Sequence, residues 1–260
     1  MAFNFENIGS PFALIKSDDS KKNKVLSIAD DNEEDEIKKI FRKVDLKDGQ
    51  KFVPYPDPKP SLERQIGYIT GPSGSGKSTY CKMYLKEWKK QHKDKPIYLF
   101  SSLTEDKSID EVKPLRIDLN TLVEEPLNIN EIDEGALIMF DDIDNISNKR
   151  IRDAVYSVLN NILEIGRHRK LWCLITNHLP TLGRDGRKIL NECHFVVYFP
   201  KSGSNGVNMK RLLVDYLGLD NKFMPKMKKE KTRWVTIFKT YPNFFFTETK
   251  ARIMDDEDEV

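Results

Sequence analysis

The chain has 260 residues, with 43 lysines and arginines against 41 aspartates and glutamates. This length fits one α/β domain with additions or two small domains, and the near balance of charge leaves only local clusters to indicate a charged partner. Three cysteines without a C-x-x-C pair argue against a disulfide framework, and no apolar run approaches the ~20 residues of a membrane helix. No signal peptide is visible at the N-terminus, so we expect a soluble, intracellular protein that is not secreted.

The first 60 residues differ in composition from the rest. Charged residues dominate positions 17–24 and 30–39. Four prolines then alternate with other residues: Pro54, Pro56, Pro58 and Pro60. Because alternating prolines favour polyproline II, we predict that residues 1–60 form an N-terminal arm with a short helix at 33–42 and a stiff lead into the core. A disordered tail and an arm that contacts a neighbouring subunit are both open alternatives.

A glycine-rich segment after residue 70 fits the phosphate-loop (Walker A) pattern G-x-x-x-x-G-K-[ST] at every fixed position. It comprises Gly71, Pro72, Ser73, Gly74, Ser75, Gly76, Lys77 and Ser78, followed by Thr79. Glycines leave successive backbone N–H groups open to a phosphate chain, and the dipole of the helix that follows favours an anion there. The flanks fit as well, since the apolar run 66–70 predicts a strand and residues 79–91 predict a helix. We predict an ATP site in which Lys77 binds the β- and γ-phosphates and Ser78 binds Mg²⁺.

Short apolar runs alternate with helical patterns in the core that follows. We predict strands at 96–101, 115–119, 136–140, 171–176 and 194–199, and a helix at 149–165 that ends at Gly166. This alternation is typical of an α/β fold with a mostly parallel central sheet.

An aspartate pair follows the run at 136–140. Asp141 lies where that strand ends, so its carboxylate reaches the sheet edge that carries the phosphate loop, and we predict that it binds Mg²⁺. Asp142 is the candidate that orients and activates the attacking water. Asp144 is a second candidate for that role, and a plain loop carboxylate is the alternative interpretation of Asp142.

Basic residues surround the end of the helix 149–165. Arginine can neutralise the charge that develops on the γ-phosphoryl group, often from a neighbouring subunit. The candidates are Arg167, Arg169, Arg184 and Arg187. We assign the role to Arg167, with a helix C-cap as the alternative that the helix dipole would favour.

Asn177 follows the strand 171–176 directly. A polar residue at this tip can hydrogen-bond the γ-phosphate or the attacking water, although it can also be a simple turn residue. A phosphate loop, an acidic strand and a polar strand tip, in that order, indicate that an additional strand lies between the first two. That arrangement favours motor-type ATPases over small-molecule kinases and GTPases.

The last 60 residues change character again. We predict a helix at 209–217, a basic segment with apolar residues at 222–233, a hairpin of strands 234–238 and 244–247, and a solvated acidic tail at 255–259. The basic segment can follow DNA phosphates or be a solvated loop. The chain thus divides into an arm (1–60), an ATPase core (61–200) and a C-terminal extension (201–260).

The order of these motifs resembles the FtsK–HerA superfamily, and within it the poxvirus-type genome-packaging ATPases of large DNA viruses. The resemblance rests on the phosphate loop, the pair Asp141 and Asp142, the turn Gly166-Arg167-His168 and the tip Asn177-His178. It implies a three-layer P-loop fold of the RecA/ASCE type and an ATP-hydrolysing, ring-forming motor, a pentamer or hexamer, that moves double-stranded DNA into a capsid. The catalytic residues would be Lys77, Asp142, Asn177 and Arg167, with Ser78 and Asp141 on Mg²⁺.

The same resemblance implies a capsid or portal protein as a further partner, no membrane, and a location in the host cytoplasm (the viral factory) or the virion. The sequence departs from the family at Asn177, where many relatives carry glutamine, and at Asp142, where cellular members often carry glutamate. Two other functions share a phosphate loop: a nucleotide or small-molecule kinase with residues 184–188 as a lid, and a nucleotide-gated assembly protein.

Overall fold

The computed structural model describes residues 1–17, 20–180, 183–202, 206–240 and 243–254. Its strands, in chain order, are β1 (Ala2–Asn4), β2 (Ser10–Ser17), β3 (Ser20–Ala29), β4 (Lys43–Asp45), β5 (Gln50–Pro54), β6 (Ile66–Thr70), β7 (Ile97–Ser101), β8 (Leu115–Arg116), β9 (Leu137–Asp141), β10 (Trp172–Asn177), β11 (Phe195–Tyr198), β12 (Val235–Phe238), β13 (Phe244–Thr247) and β14 (Lys250–Ile253).

Five α-helices lie in these ranges: α1 (Lys77–Gln91), α2 (Lys149–Ile165), α3 (Gly183–Glu192), α4 (Gly206–Lys210) and α5 (Phe223–Lys229). Short 3₁₀ turns connect several elements: Glu34–Glu36, Asp110–Val112, Thr121–Val123, Ile129–Glu131, Ile143–Asn145 and Gly166–Arg169. A π-helical turn, Arg211–Tyr216, continues α4. Of the helices described, none combines the length and apolar character needed to cross a bilayer.

The central sheet has ten strands among the described residues, in the order β4-β14-β13-β12-β11-β6-β10-β9-β7-β8. The six strands from β11 to β8 are parallel. The strand β10 lies between β6 and β9, which confirms the predicted additional strand. The phosphate loop follows β6 and the aspartate pair ends β9, so both meet at the same edge of the sheet.

Helices cover both faces of this sheet, which confirms the three-layer α/β prediction. Because successive strand side chains alternate between faces, Leu174 and Met139 pack with α1 on one face, while Ile175 and Phe140 pack with α2 on the other. Burial on both faces explains why the central strands are continuous apolar runs. Asp141 and Thr176 lie on the α1 face by the same alternation.

The helix α2 is held at both ends by side chains. The Asn148 side chain accepts hydrogen bonds from the backbone N–H groups of Arg150 and Ile151, which caps its N-terminus. The buried guanidinium of Arg64 donates to the carbonyl oxygens of Ile162 (2.7 Å) and Leu163 (2.9 Å) at the other end. Arg64 thus binds the C-terminal carbonyls that the helix leaves free.

Gly166 follows the last residue of α2 as expected, but it does not adopt the left-handed conformation that is common for glycine at this position. Its φ is −60°, and the left-handed residue is Lys170, four positions later. A Cβ atom on Gly166 would lie 2.7 Å from the Arg64 Nη1 atom. The glycine is therefore required by the close approach of the arginine.

The N-terminal segment contains a second, four-stranded antiparallel sheet in the order β1-β3-β2-β5. This corrects the expectation of an arm or a disordered tail. The predicted helix at 33–42 is limited to the turn Glu34–Glu36. Pro54 ends the edge strand β5, where a residue without an N–H group is tolerated. The division of the chain into segments 1–60, 61–200 and 201–260 stays a prediction.

Aromatic side chains join this N-terminal sheet to the central sheet. The ring of Phe12 in β2 lies 4.7 Å from that of Phe244 and 5.4 Å from that of Phe246, both in β13. The strand β4 also leaves the N-terminal segment to pair with β14. The sequence analysis missed these contacts because they join residues more than 200 positions apart.

The C-terminal extension adds antiparallel strands to the central sheet. The predicted strands of the hairpin are β12 and β13, which pair directly. Residues 241–242 of its turn and the acidic tail 255–259 lie outside the described residues. The predicted helix 209–217 is α4 and the π-helical turn, and part of the basic segment forms α5.

Candidate active site

The phosphate loop joins β6 to α1 in the conformation that its glycines permit. Gly74 has φ of 74° and Gly76 has φ of 112°, and other residues rarely adopt such angles. The helix α1 begins at Lys77, directly after Gly76. Its first free N–H groups and its dipole therefore face the space enclosed by the loop, the arrangement that binds phosphate.

The aromatic ring of Phe199 lies beneath this loop. A Cβ atom on Gly71 would lie 2.8 Å from its Cδ2 atom, and one on Gly76 would lie 3.4 Å from its Cε1 atom. Phe199 follows β11 and is 1% exposed. The loop thus rests on a rigid apolar residue that the sequence analysis did not identify, since nothing near position 199 marks it.

Lys77 joins the loop to the aspartate pair. Its side chain is 7% exposed, and its Nζ atom donates to the Gly71 carbonyl oxygen at 3.0 Å. The same Nζ atom lies 3.4 Å from the Asp142 Oδ1 atom. Residues 65 positions apart in the sequence thus meet at one edge of the sheet.

The Asp141 carboxylate is buried at the tip of β9. It accepts hydrogen bonds from the hydroxyls of Thr176 (2.9 Å) and Ser101 (3.1 Å). Burial and the adjacent negative charge of Asp142 raise the pKa of Asp141, while these two hydrogen bonds oppose the rise. Carboxylate and hydroxyl oxygens are ligands that Mg²⁺ prefers, so Asp141 and Ser78 are chemically suited to hold it.

The Thr176 hydroxyl holds Asp142 in an uncommon backbone conformation. Asp142 has φ of 47° and ψ of 40°, a left-handed region that costs a residue other than glycine about 1 kcal/mol or more. Its backbone N–H donates to the Thr176 Oγ1 atom at 2.8 Å, and the Thr176 hydroxyl lies 3.1 Å from the Asp142 Oδ1 atom. This contact directs the Asp142 carboxylate towards Lys77.

His178 lies between two carboxylates at the same edge. Its Nε2 atom is 3.5 Å from Asp142 Oδ2, and its Nδ1 atom is 3.6 Å from Asp144 Oδ1. The Asp144 side chain is 5% exposed, and its Oδ2 atom accepts the backbone N–H groups of His178 (2.8 Å) and Leu179 (3.3 Å). Asp144 is therefore already engaged by the chain after β10.

Asn177 lies at the tip of β10, as expected, but its side chain is fully buried. Its backbone oxygen accepts the N–H of Gly71 at 3.2 Å, and its Nδ2 atom donates to the Tyr68 hydroxyl at 3.3 Å. Tyr68 and Asn177 share the α2 face of the sheet, opposite Thr176 and Asp141. The role of Asn177 in sensing the γ-phosphate stays a prediction.

Arg167 lies at the opposite end of β10 from the phosphate loop. The strands β6 and β10 are parallel, and Arg167 precedes β10 whereas the loop follows β6. Arg167 is exposed. The five-residue strand β6 spans about 17 Å, so Arg167 lies far from the phosphate loop of its own chain. Residues 184–188 lie within α3, so they form part of a helix and not a lid loop.

Sequence patterns alone did not mark Thr176, Ser101 and Tyr68 as parts of the site, whereas His178 was already named beside Asn177. Thr176 and Ser101 are the last or next-to-last residues of strands beside β9, so a search for hydroxyls at neighbouring strand tips would have found them. Tyr68 carried no such signal, because it reads as one apolar residue within a buried strand.

Comparison with known proteins agrees with this geometry. Residues 68–201, about half of the chain, match the model of the ATPase family associated with various cellular activities (AAA). The chain is 40% identical over 207 residues to the uncharacterised protein V3 of Sputnik virophage, covering 78% of this chain and 82% of that protein.

Two solved structures are similar in fold. The cytoplasmic domain of the Type VII secretion ATPase EccC from Thermomonospora curvata has a TM-score of 0.51 at 13% identity, over 84% of this chain and 30% of that chain. The genome packaging NTPase B204 from Sulfolobus turreted icosahedral virus 2, in complex with ATP-gammaS, has a TM-score of 0.47 at 15% identity, over 74% of this chain and 99% of that chain. These two likenesses concern the fold alone, whereas the family match makes this chain an ATPase of the AAA family.

Proposed function

We propose that this ATPase is a motor of the FtsK–HerA type that moves double-stranded DNA into a viral capsid. One observation carries the proposal: the Lys77 side chain contacts Asp142, next to Asp141, although β10 lies between the strands β6 and β9 that precede them. The similarity to a virophage protein supports a viral setting. Within this proposal the protein works in the host cytoplasm, at the viral factory, or in the virion.

Each residue of the site has a defined part in hydrolysis. The loop N–H groups bind the phosphates, and Lys77 exchanges its contact with Asp142 for the β- and γ-phosphate oxygens. Asp142, released from Lys77 but held by Thr176, then accepts a proton from the attacking water. Ser78 and Asp141 would hold Mg²⁺, which supplies charge neutralisation to the phosphates when bound.

Phosphate release, measured with and without duplex DNA, tests the function. We expect the wild-type protein to hydrolyse ATP, and to do so faster when duplex DNA is present. In Asp142→Asn, we expect turnover to fall at least 100-fold while the Kd for an ATP analogue changes less than threefold. Asp48→Asn, at an exposed position far from the site, is the matched control and should match the wild type. Turnover that needs a phosphoryl acceptor and ignores DNA would instead indicate a kinase, and binding without turnover an assembly protein.

Exposed cations near α5 are the proposed DNA contact. They are Lys226, Lys228, Lys229, Lys231 and Arg233. Contacts to phosphates release counterions, so DNA affinity should fall at least 100-fold between about 50 and 200 mM salt. Replacing the three lysines of α5 with glutamine should weaken binding and reduce the salt dependence. An affinity unchanged by salt would contradict a phosphate contact.

Arg167 is proposed to act on the phosphate loop of the next subunit in a ring of five or six. Mixing Arg167→Ala with wild-type subunits should lower turnover more steeply than dilution alone, because each variant subunit disables the site of its neighbour. Arg150→Ala, on the exposed side of α2, is the control and should dilute linearly. Linear loss in both mixtures would exclude the role in trans.

A further inference from the structure

The segment 177–180, at the end of β10, is held by two side chains from different parts of the chain. One side chain belongs to the turn after β9 and the other to β6, the strand before the phosphate loop. The segment contains Asn177 and His178, and the His178 Nε2 atom lies 3.5 Å from the Asp142 Oδ2 atom.

Asp144 holds the segment from the β9 side. Its carboxylate accepts two backbone N–H groups, those of His178 and Leu179, and such bonds to an ionised acceptor are stronger than neutral ones. Asp144 is three residues after Asp141, in the short turn Ile143–Asn145. This use of the Oδ2 atom makes Asp144 an anchor for the backbone, and its alternative role in water activation stays a prediction.

Tyr68 holds the segment from the β6 side. Its fully buried hydroxyl accepts the Asn177 Nδ2–H and lies within donor distance of the carbonyl oxygens of Leu179 (3.0 Å) and Pro180 (3.2 Å). A buried hydroxyl with these partners is costly to remove. Tyr68 is three residues before Gly71, whose N–H donates to the Asn177 oxygen, so β6 and the phosphate loop that follows it both contact the segment.

We propose that Tyr68 and Asp144 are positioning residues, which together fix segment 177–180 between the phosphate loop and the aspartate pair during ATP hydrolysis. The proposal rests on the proposed hydrolysis for its kinetic consequence. Its structural consequence, the protection of the segment from solvent exchange, is independent of any activity.

Amide hydrogen exchange of the full-length protein tests that structural consequence. We expect exchange at positions 178 and 179 to be at least tenfold faster in Asp144→Ala, which removes the oxygen that accepts both N–H groups, and faster also in Tyr68→Phe, which keeps the ring. Asp144→Asn retains an acceptor oxygen and should restore protection in part. Equal exchange in the wild type, Asp144→Ala and Tyr68→Phe would overturn the proposal.

Two control variants remove the same chemical groups at positions that do not contact segment 177–180. Tyr198→Phe removes a buried hydroxyl that has no hydrogen-bond partner among the described residues. Asp30→Ala removes a carboxylate that accepts the backbone N–H groups of Asn32 and Glu33, far from the site. Neither control should change exchange at positions 178 and 179, and a change of the same size in either control would make the effect nonspecific and overturn the proposal.

Steady-state kinetics then separate positioning from a general loss of structure. We expect kcat to fall at least tenfold in Asp144→Ala and Tyr68→Phe, with the Kd for an ATP analogue within threefold of wild type and kcat partly rescued in Asp144→Asn. Faster exchange with an unchanged kcat would show that ATP hydrolysis does not require segment 177–180 to be fixed. That result would overturn the inference. If the wild type shows no turnover, the proposed function fails, whereas the exchange experiment still decides whether the two residues hold the segment.

Discussion

The Thr176 hydroxyl is the hydrogen-bonding centre of the acidic side of the site. It accepts the Asp142 N–H and lies within hydrogen-bond distance of the carboxylates of Asp141 and Asp142. A hydroxyl has one proton, so it donates to one carboxylate at a time. The two aspartates therefore share this hydroxyl, while Ser101 and Lys77 each contact one of them.

We expect Thr176→Val to lower kcat about tenfold or more while the Kd for an ATP analogue changes little. The substitution keeps the shape of the side chain but leaves the partly buried Asp142 N–H without its acceptor, which costs about 1 kcal/mol. Thr176→Ser keeps the hydroxyl and is the control. Steady-state phosphate release is the measurement, and a wild-type kcat in the valine variant would show that Asp142 is positioned without this contact.

At this scale, the sequence predicts the residues that a motif marks and misses those that support them. The positions of Lys77, Asp141 and Asp142 followed from a loop and a strand end. Phe199 could not be recognised, because its importance comes from spatial neighbours that are distant in the sequence, and Thr176 could be recognised only as a hydroxyl at the tip of a neighbouring strand. Asn177 was placed at the correct strand tip, but its side chain is buried on the opposite face from Thr176.

Among the secondary-structure elements, the C-terminus of α2 and its connection to β10 depend on Arg64. The Arg64 guanidinium binds the last carbonyls of α2 and occupies the space next to Gly166. Burial lowers the pKa of Arg64, so its charge is held in the interior by these carbonyl oxygens.

We predict that Arg64→Met reduces the free energy of unfolding by about 2–4 kcal/mol, because two buried carbonyls lose a charged donor. Urea denaturation monitored by circular dichroism is the measurement. Lys170→Met is the control, since Lys170 forms only an exposed ion pair with Glu63 at the same end of the helix, and we expect little change there. Equal stabilities for the two variants would contradict the assigned role of Arg64.

Helices and strands of the core followed from the sequence with small errors at their ends. The strand β6 and the helix α2 have the predicted bounds, because apolar runs and helical periodicity are local signals. The N-terminal strands were missed since charge-dense stretches and prolines obscured the alternation in β2 and β3. Their pairing is fixed by contacts with Phe244 and Phe246, which no local pattern reveals.

At the scale of the whole molecule, buried side chains of the N-terminal sheet form one hydrophobic core with the central sheet. Phe12 is 2% exposed and contacts aromatic rings of β13. We therefore expect Phe12→Ala to lower the free energy of unfolding by about 3–5 kcal/mol in one cooperative transition. Ile40→Ala, at a side chain that is 47% exposed, is the control and should have a small effect. A stability loss below 1 kcal/mol for Phe12→Ala would support the arm that the sequence suggested.

We also expect the free energy of unfolding to decrease as the pH is lowered, because of the buried side chain of His194. Its Nδ1 atom accepts the backbone N–H of Ile66 at 2.8 Å, which requires an unprotonated nitrogen. Burial, with the positive charges of Arg64 and Lys239, lowers the pKa of His194 to about 4. The ordinary pKa is about 6.5, so between these values the unfolded chain binds a proton that the folded chain does not.

This contribution is fully present above pH 6.5 and is lost as the pH falls towards 4, by at most about 3 kcal/mol. Urea denaturation from pH 7.5 to 4.5 should therefore show a steeper loss of stability in the wild type than in His194→Gln, which does not titrate. Parallel curves for the two proteins would contradict the buried, neutral state of His194.

The central claim is that Lys77 and Asp141 act on one triphosphate. An experimental structure with Mg²⁺ and a non-hydrolysable ATP analogue tests it most directly. We predict the Lys77 Nζ atom within hydrogen-bond distance of a β- or γ-phosphate oxygen, and the Asp141 carboxylate bound to the metal directly or through a water. A nucleotide bound elsewhere, or one bound with Asp141 remote from its metal, would contradict the account.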